Sequence, residues 1–125
     1  MQVKIDTKEK FTVVTPIMAV LADNIAAEWV DACRSQLLKT VKNIVLNLSE
    51  VTALAPAAGD LLVDLQQVFY EGNASFVICG LQPGVEESLE KAELLELLNI
   101  TPTESEAWDI VQMEEIEREL LDGEE

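Results

Sequence analysis

Apolar and polar positions alternate from the start of the chain. Val3, Ile5 and Thr7 interleave with Gln2, Lys4 and Asp6, the period of two that marks a half-exposed strand. Lys8-Glu9-Lys10 breaks the alternation as a charged turn. Phe11-Thr12-Val13-Val14-Thr15 then reads as a second strand, so a hairpin opens the fold. Pro16 ends that strand. Ile17 to Leu21 is apolar without a period and reads as a connection lying on the core.

The period then becomes helical. Asp23 or Asn24 supplies an N-cap, and Ile25, Trp29, Ala32, Cys33 and Leu37 recur on one face up to about Thr40. Arg34, Lys39 and Lys42 gather near the end of this helix, where its dipole favours cations. Asn43 to Leu48 is almost continuously apolar, as in a strand covered on both faces. A second helix follows from about Ala57 to Tyr70, with Leu61, Leu62, Leu65, Val68 and Phe69 toward the core; Glu71-Gly72-Asn73 closes it. Ala74 to Cys79 is the fourth strand.

Pro83 stands near the start of a third helix, which is expected to carry Val85, Leu89, Leu94, Leu95, Leu97 and Leu98. Asn99 to Pro102 offers a short edge strand. Thr103 and Glu106 form a capping box for a last helix, from about Glu104 to Leu121. Its mixed apolar stripe is Ala107, Ile110, Val111, Glu114 and Ile116 to Leu121. The order is β-β-α-β-α-β-α-(β)-α. It predicts an α/β fold with a mixed, mostly parallel sheet of four to five strands and about four helices. The parallel crossovers are right-handed and the first two strands antiparallel. One domain covers 1–121, and 122–125 is an acidic, frayed tail.

Composition narrows the function. The chain has 125 residues, 49% of them hydrophobic, which is enough for a core built mainly from Leu, Val, Ile and Ala. No apolar run approaches the roughly 18–20 residues of a membrane span. MQVKIDTKEK carries charges where a signal peptide is apolar, so a cytoplasmic location without membrane insertion is expected. Acidic residues number 24 against 8 basic, for a net charge of −16. That disfavours nucleic acid, whose phosphates need Lys and Arg. It serves solubility, or a basic partner.

Histidine is absent, so Ser-His-Asp and Cys-His constellations are excluded. Neither phosphate-cradling glycine motif occurs. Glu86-Glu87, Glu114-Glu115 and Glu124-Glu125 are adjacent, and adjacent residues on a helix do not face each other. Cys33 and Cys79 are isolated and read as core residues. They predict neither a disulfide nor a zinc site. No catalytic residue and no cofactor is expected.

The turn Ala55-Pro56-Ala57-Ala58-Gly59-Asp60 is the informative place. A buried strand passing at once into a helix puts this turn at the carboxyl edge of the sheet, where α/β proteins bind their ligands. Pro is tolerated at a helix start, and Gly59 permits close approach. A phosphorylated hydroxyl would be welcome at such an N-terminus. Ala57 and Ala58 offer none.

With the run VLNLSEVTAL ahead of that turn, the chain resembles a STAS domain. This is the family of bacterial anti-sigma factor antagonists and of the cytosolic domains of sulphate transporters. The resemblance spans about residues 1–112. Asn47-Leu48-Ser49 matches the family's (D/N)-L-S element, and Leu81 to Leu98 is similar to its third helix. The family's D-S-S-G falls on Pro56-Ala57-Ala58-Gly59, where the glycine alone is kept. In the family the first Ser is phosphorylated by a partner kinase that is also the anti-sigma factor, and phosphate abolishes binding. Ala57 stands at that acceptor position.

The resemblance implies a non-catalytic regulatory domain that binds a partner protein. That partner is an anti-sigma factor with serine kinase activity or another signalling protein. The contact surface would be Pro56, Ala57, Ala58, Gly59 and Asp60 with Val63, Asp64 and Gln67 on the next helix, and it would lack phosphorylation control. Either the turn stays permanently in its unphosphorylated-like state, or the old partnership is lost. The alternative is a ligand- or lipid-binding module, or an accessory subunit of a transport assembly. Trp29 and Trp108 read as anchors on their helices, or as interface residues where exposed.

Overall fold

The computed structural model describes residues 3–18, 20–21, 28, 31–39 and 41–123, with the backbone alone at 21, 56 and 121–123. The predicted hairpin is present. Strand β1 (Val3–Thr7) pairs antiparallel with β2 (Thr12–Pro16), with Ile5 opposite Val14. β2 runs parallel to β4 (Ile44–Asn47), and β4 parallel to β6 (Phe76–Cys79), with Val45 opposite Val77. The two-residue β7 (Ile100–Thr101) closes the five-stranded sheet in the order β1-β2-β4-β6-β7.

Alternation along the strands divides the core in two. Val14, Ile44, Leu46, Phe76 and Ile78 face the helices α1 (Pro56–Glu71) and α2 (Pro83–Lys91). Leu62, Leu65 and Phe69 of α1 are fully buried there, while Leu61 is only half-buried. Val85 and Leu89 of α2 and Cys33 complete that layer. Val13, Val45, Val77 and Cys79 face the other way, onto Ala107 and Val111 of α3 (Glu104–Gly123). Trp108 is half-buried, its ring stacked on Phe11 with centroids 4.9 Å apart. One half of the capping box forms, with Thr103 Oγ1 accepting from the Glu106 N–H at 3.2 Å.

Several expectations are corrected. Ile17 to Leu21 is not wholly irregular. Val20–Leu21 is a short strand, β3, parallel to β5 (Ala53–Leu54) in a separate two-stranded sheet. The third helix stops at Lys91, because Glu93 turns into the left-handed region (φ 61°) and the chain tightens into a 3-10 turn at Leu95–Leu97. Leu98 is buried as expected, but Leu97 is exposed. Ile116 and Leu120, expected in the stripe of the last helix, point to solvent. Of the first predicted helix, Glu28 and residues 31–34 are helical and run into a 3-10 turn at Ser35–Leu38. Its N-cap, Ile25 and Trp29 lie outside the described residues, as do Glu124 and Glu125. α3 itself continues through Gly123.

Candidate functional site

The parallel strands β4 and β6 end at one edge of the sheet, and the loops leaving them are laced together. The Asn47 side chain accepts the Ser49 N–H at 2.9 Å and donates to Glu104 Oε1 at 2.8 Å. The Leu48 N–H donates to the Cys79 carbonyl at 3.0 Å. From the neighbouring loop, Gln82 Nε2 donates to the Ser49 carbonyl at 2.7 Å. Gly80 takes φ +71°, and a side chain there would press on the Asn47 amide. A Cβ on Gly84 would lie 2.7 Å from the Thr52 carbonyl oxygen, so the start of α2 packs directly on backbone. Gln82 and Gly84 do not stand out as site residues in the sequence; the Asn47-Leu48-Ser49 element pointed here.

β5 leads into the turn. Ala55 is the N-cap of α1, extended at φ −69° and ψ 154°, and no side chain caps the helix. Pro56 occupies the first turn, which holds no acidic residue. Pro56 has no N–H and the Ala58 N–H donates to the Ala55 carbonyl at 3.0 Å, so the helix starts at the carboxyl edge of the sheet without any side-chain cap.

The sequence-predicted residues divide between two faces of α1. Ala57, Asp60, Asp64 and Gln67 are exposed and Val63 half-exposed, and their spacing puts them on one outward face. Gln67 donates to Glu71 along that face at 3.2 Å. Ala58 is completely buried and Gly59 is buried as well. They seat the helix on the core rather than presenting a surface.

Beside the turn lies an apolar cleft of about 350 Å³ between α1 and the end of α2. Leu54, Ala55 and Gly59 form one wall, Leu89, Ala92 and Leu94 the other. The glycine keeps it open: a Cβ at Gly59 would come within 2.9 Å of Leu94 Cδ1.

Among the described residues no group of His, Cys, Asp and Glu is placed to hold a metal ion. Burial pushes the Cys33 thiol up to about 12, and burial with the nearby Glu104 carboxylate does the same for Cys79. Both sulfurs are thus held as neutral thiols, poor nucleophiles. Among the described residues no helix is long and apolar enough to cross a membrane.

The family profile of the STAS domain matches residues 2–107, most of the chain, and the protein belongs to that family. A sequence comparison with curated proteins finds no match. Solved structures agree on the fold. A candidate anti-sigma factor antagonist from Thermotoga maritima superposes with a TM-score of 0.77 at 20% identity, covering 88% of this chain and 94% of that one. An anti-sigma factor antagonist from Mycobacterium paratuberculosis gives 0.77 at 15% identity, covering 89% and 93%. A chain from the stressosome, a signal integration and transduction hub, gives 0.62 at 16% identity, covering 87% and 96%. The mixed α/β architecture is that of the STAS anti-sigma factor antagonists.

Proposed function

We propose that this protein is a non-catalytic regulatory domain of the anti-sigma factor antagonist type, and that it binds a partner protein through the start of α1. The contact surface is Ala57, Asp60, Val63, Asp64 and Gln67, with Pro56, Ala58 and Gly59 fixing the approach of the turn. One observation carries the reading. At the carboxyl edge of a STAS sheet, the exposed residue opening α1 is Ala57, which has no hydroxyl to phosphorylate. A phosphate would add about two negative charges and repel a bound partner. This surface is never subject to that switch. Partners of the related proteins, an anti-sigma factor kinase or another signalling protein, are the class to which it is suited.

The test is capture from native lysate with wild type and Ala57→Asp. An acid in the first turn suits the helix dipole, by about 0.3–1 kcal/mol, so the variant folds at least as well. A partner retained by wild type and lost by the variant supports the reading. The same proteins with both, or none, overturns it. Incubation with a cognate serine kinase is expected to leave the turn unlabelled.

A second reading rests on the apolar cleft beside the turn, which is large enough for part of a small ligand or a lipid chain. Ala92→Leu, at a cleft residue outside the proposed contact surface, narrows that cleft. If it abolishes binding of a fluorescent fatty acid while leaving partner capture intact, the cleft is a ligand site in its own right.

A further inference from the structure

α3 has two unlike faces. Ala107 and Val111 bury against the sheet, and further along Glu115 and Arg118 reach the start of β4 and β6. On the opposite side Met113, Ile116 and Leu120 stand exposed at 60%, 56% and 65%. Their spacing of three and then four residues is that of a coiled-coil seam. With Met113 at position a, Ile116 falls at d and Leu120 at the next a. The flanking e and g positions are then Glu117 and Glu119, both exposed. The helix is also long enough to receive a partner. Its 20 residues span about 30 Å, of which the seam from Met113 to Leu120 occupies about 11 Å.

We propose that the outward face of α3 is a docking seam for a basic amphipathic helix of another protein. The partner supplies Leu or Ile against Met113, Ile116 and Leu120, and Lys or Arg against Glu117 and Glu119. Charge chooses this occupant. A second copy would set the same carboxylates against one another and bring together two chains of net charge −16. An anionic membrane is repelled in the same way. The seam lies across the sheet from α1, so it goes beyond the function proposed above and stands or falls independently of it.

The probe is a fluorescent synthetic three-heptad peptide with Leu at a and d and Lys at e and g, titrated with the full chain. A second peptide keeps the Lys and replaces the seam Leu with Ala. Saturable binding of the first peptide is expected. Ile116→Ser with Leu120→Ser should weaken it by about tenfold or more, since truncating buried anchors dominates such interfaces. Both side chains are over half exposed, so circular dichroism should show an unchanged fold. Glu117→Lys with Glu119→Lys, which spares the seam, should also weaken the Lys peptide and favour a version flanked by Glu. The proposal is overturned if the serine variant binds as tightly as wild type, or if the Ala peptide binds as well as the Leu peptide. It is overturned equally if wild type sediments as a dimer that the serine variant splits, or if zwitterionic vesicles bind wild type and not that variant.

Discussion

Ala55 holds the extended backbone of an N-cap without the oxygen that an N-cap uses. A side-chain oxygen there would accept one of the unsatisfied N–H groups of α1. Ala55→Ser is therefore expected to raise stability by about 0.5–2 kcal/mol, read from the urea midpoint. A gain would mean that the bare turn is retained at a cost in stability, as expected of a functional surface. Gly84 behaves oppositely. Gly84→Ala places a carbon against the Thr52 carbonyl, with backbone on both sides of the clash. It should destabilise by about 1–3 kcal/mol and loosen the start of α2 from the loop before α1.

α3 is held at its far end by one buried residue. Asn43 accepts the Ser75 N–H at 2.8 Å and Arg118 Nη2 at 3.4 Å, and it donates to the Lys10 carbonyl at 3.0 Å and Glu115 Oε1 at 2.6 Å. Arg118 also donates to the buried Ser75 hydroxyl at 3.2 Å. Asn43→Ala leaves the Ser75 N–H unpaired in the interior, which costs about 1–3 kcal/mol. Hydrogen exchange along residues 112–123 should quicken in the variant more than along α1. Equal protection in both helices would show that Asn43 supports the sheet alone. The sequence showed Asn43 only as the first residue of an apolar strand. Its partners come from residues 32 to 75 positions away, and no local pattern connects them.

Charge and burial act on the whole molecule. At −16 the folded chain repels itself, and about 0.5 M salt shortens the reach of that repulsion to a few ångströms. The melting temperature at pH 7 should therefore rise between low salt and 0.5 M sodium chloride. The thiols predict a pH dependence at the other extreme. Burial raises Cys33 and Cys79 from 9.0 to about 12 in the folded chain. Between those values the unfolded chain releases protons that the folded chain keeps. The stability contribution is complete below about pH 9 and is lost as pH rises toward about 12. Unfolding free energy measured over that range should fall less steeply in a Cys33→Ala, Cys79→Ala variant. At pH 8 a thiol reagent should label the native protein slowly and the unfolded protein at both cysteines.

What the sequence determined by itself is whatever depends on near neighbours. The opening hairpin, the apolar runs of β4 and β6, the Leu62-Leu65-Phe69 face of α1 and the Thr103 cap of α3 follow from spacing and turn chemistry, whereas the alternation of β1 did not give its burial, since Ile5 and Thr7 are exposed. The turn at 55–60 is reached otherwise than expected: β4 ends at Asn47, and the strand leading into α1 is β5 of the separate two-stranded sheet. The tertiary structure decided what depends on distant groups. Val20–Leu21 is a strand only because Ala53–Leu54 lies beside it. Leu94 and Leu97 leave the helix that their sequence favours, because the chain turns at Glu93 to bring Ile100 beside Ile78. Ala57 and Ala58 look alike in sequence; the rotation of α1 on the sheet exposes one and buries the other. The same holds on α3, where Val111 and Ile116 are equally apolar and the sheet has room for only one of their two faces.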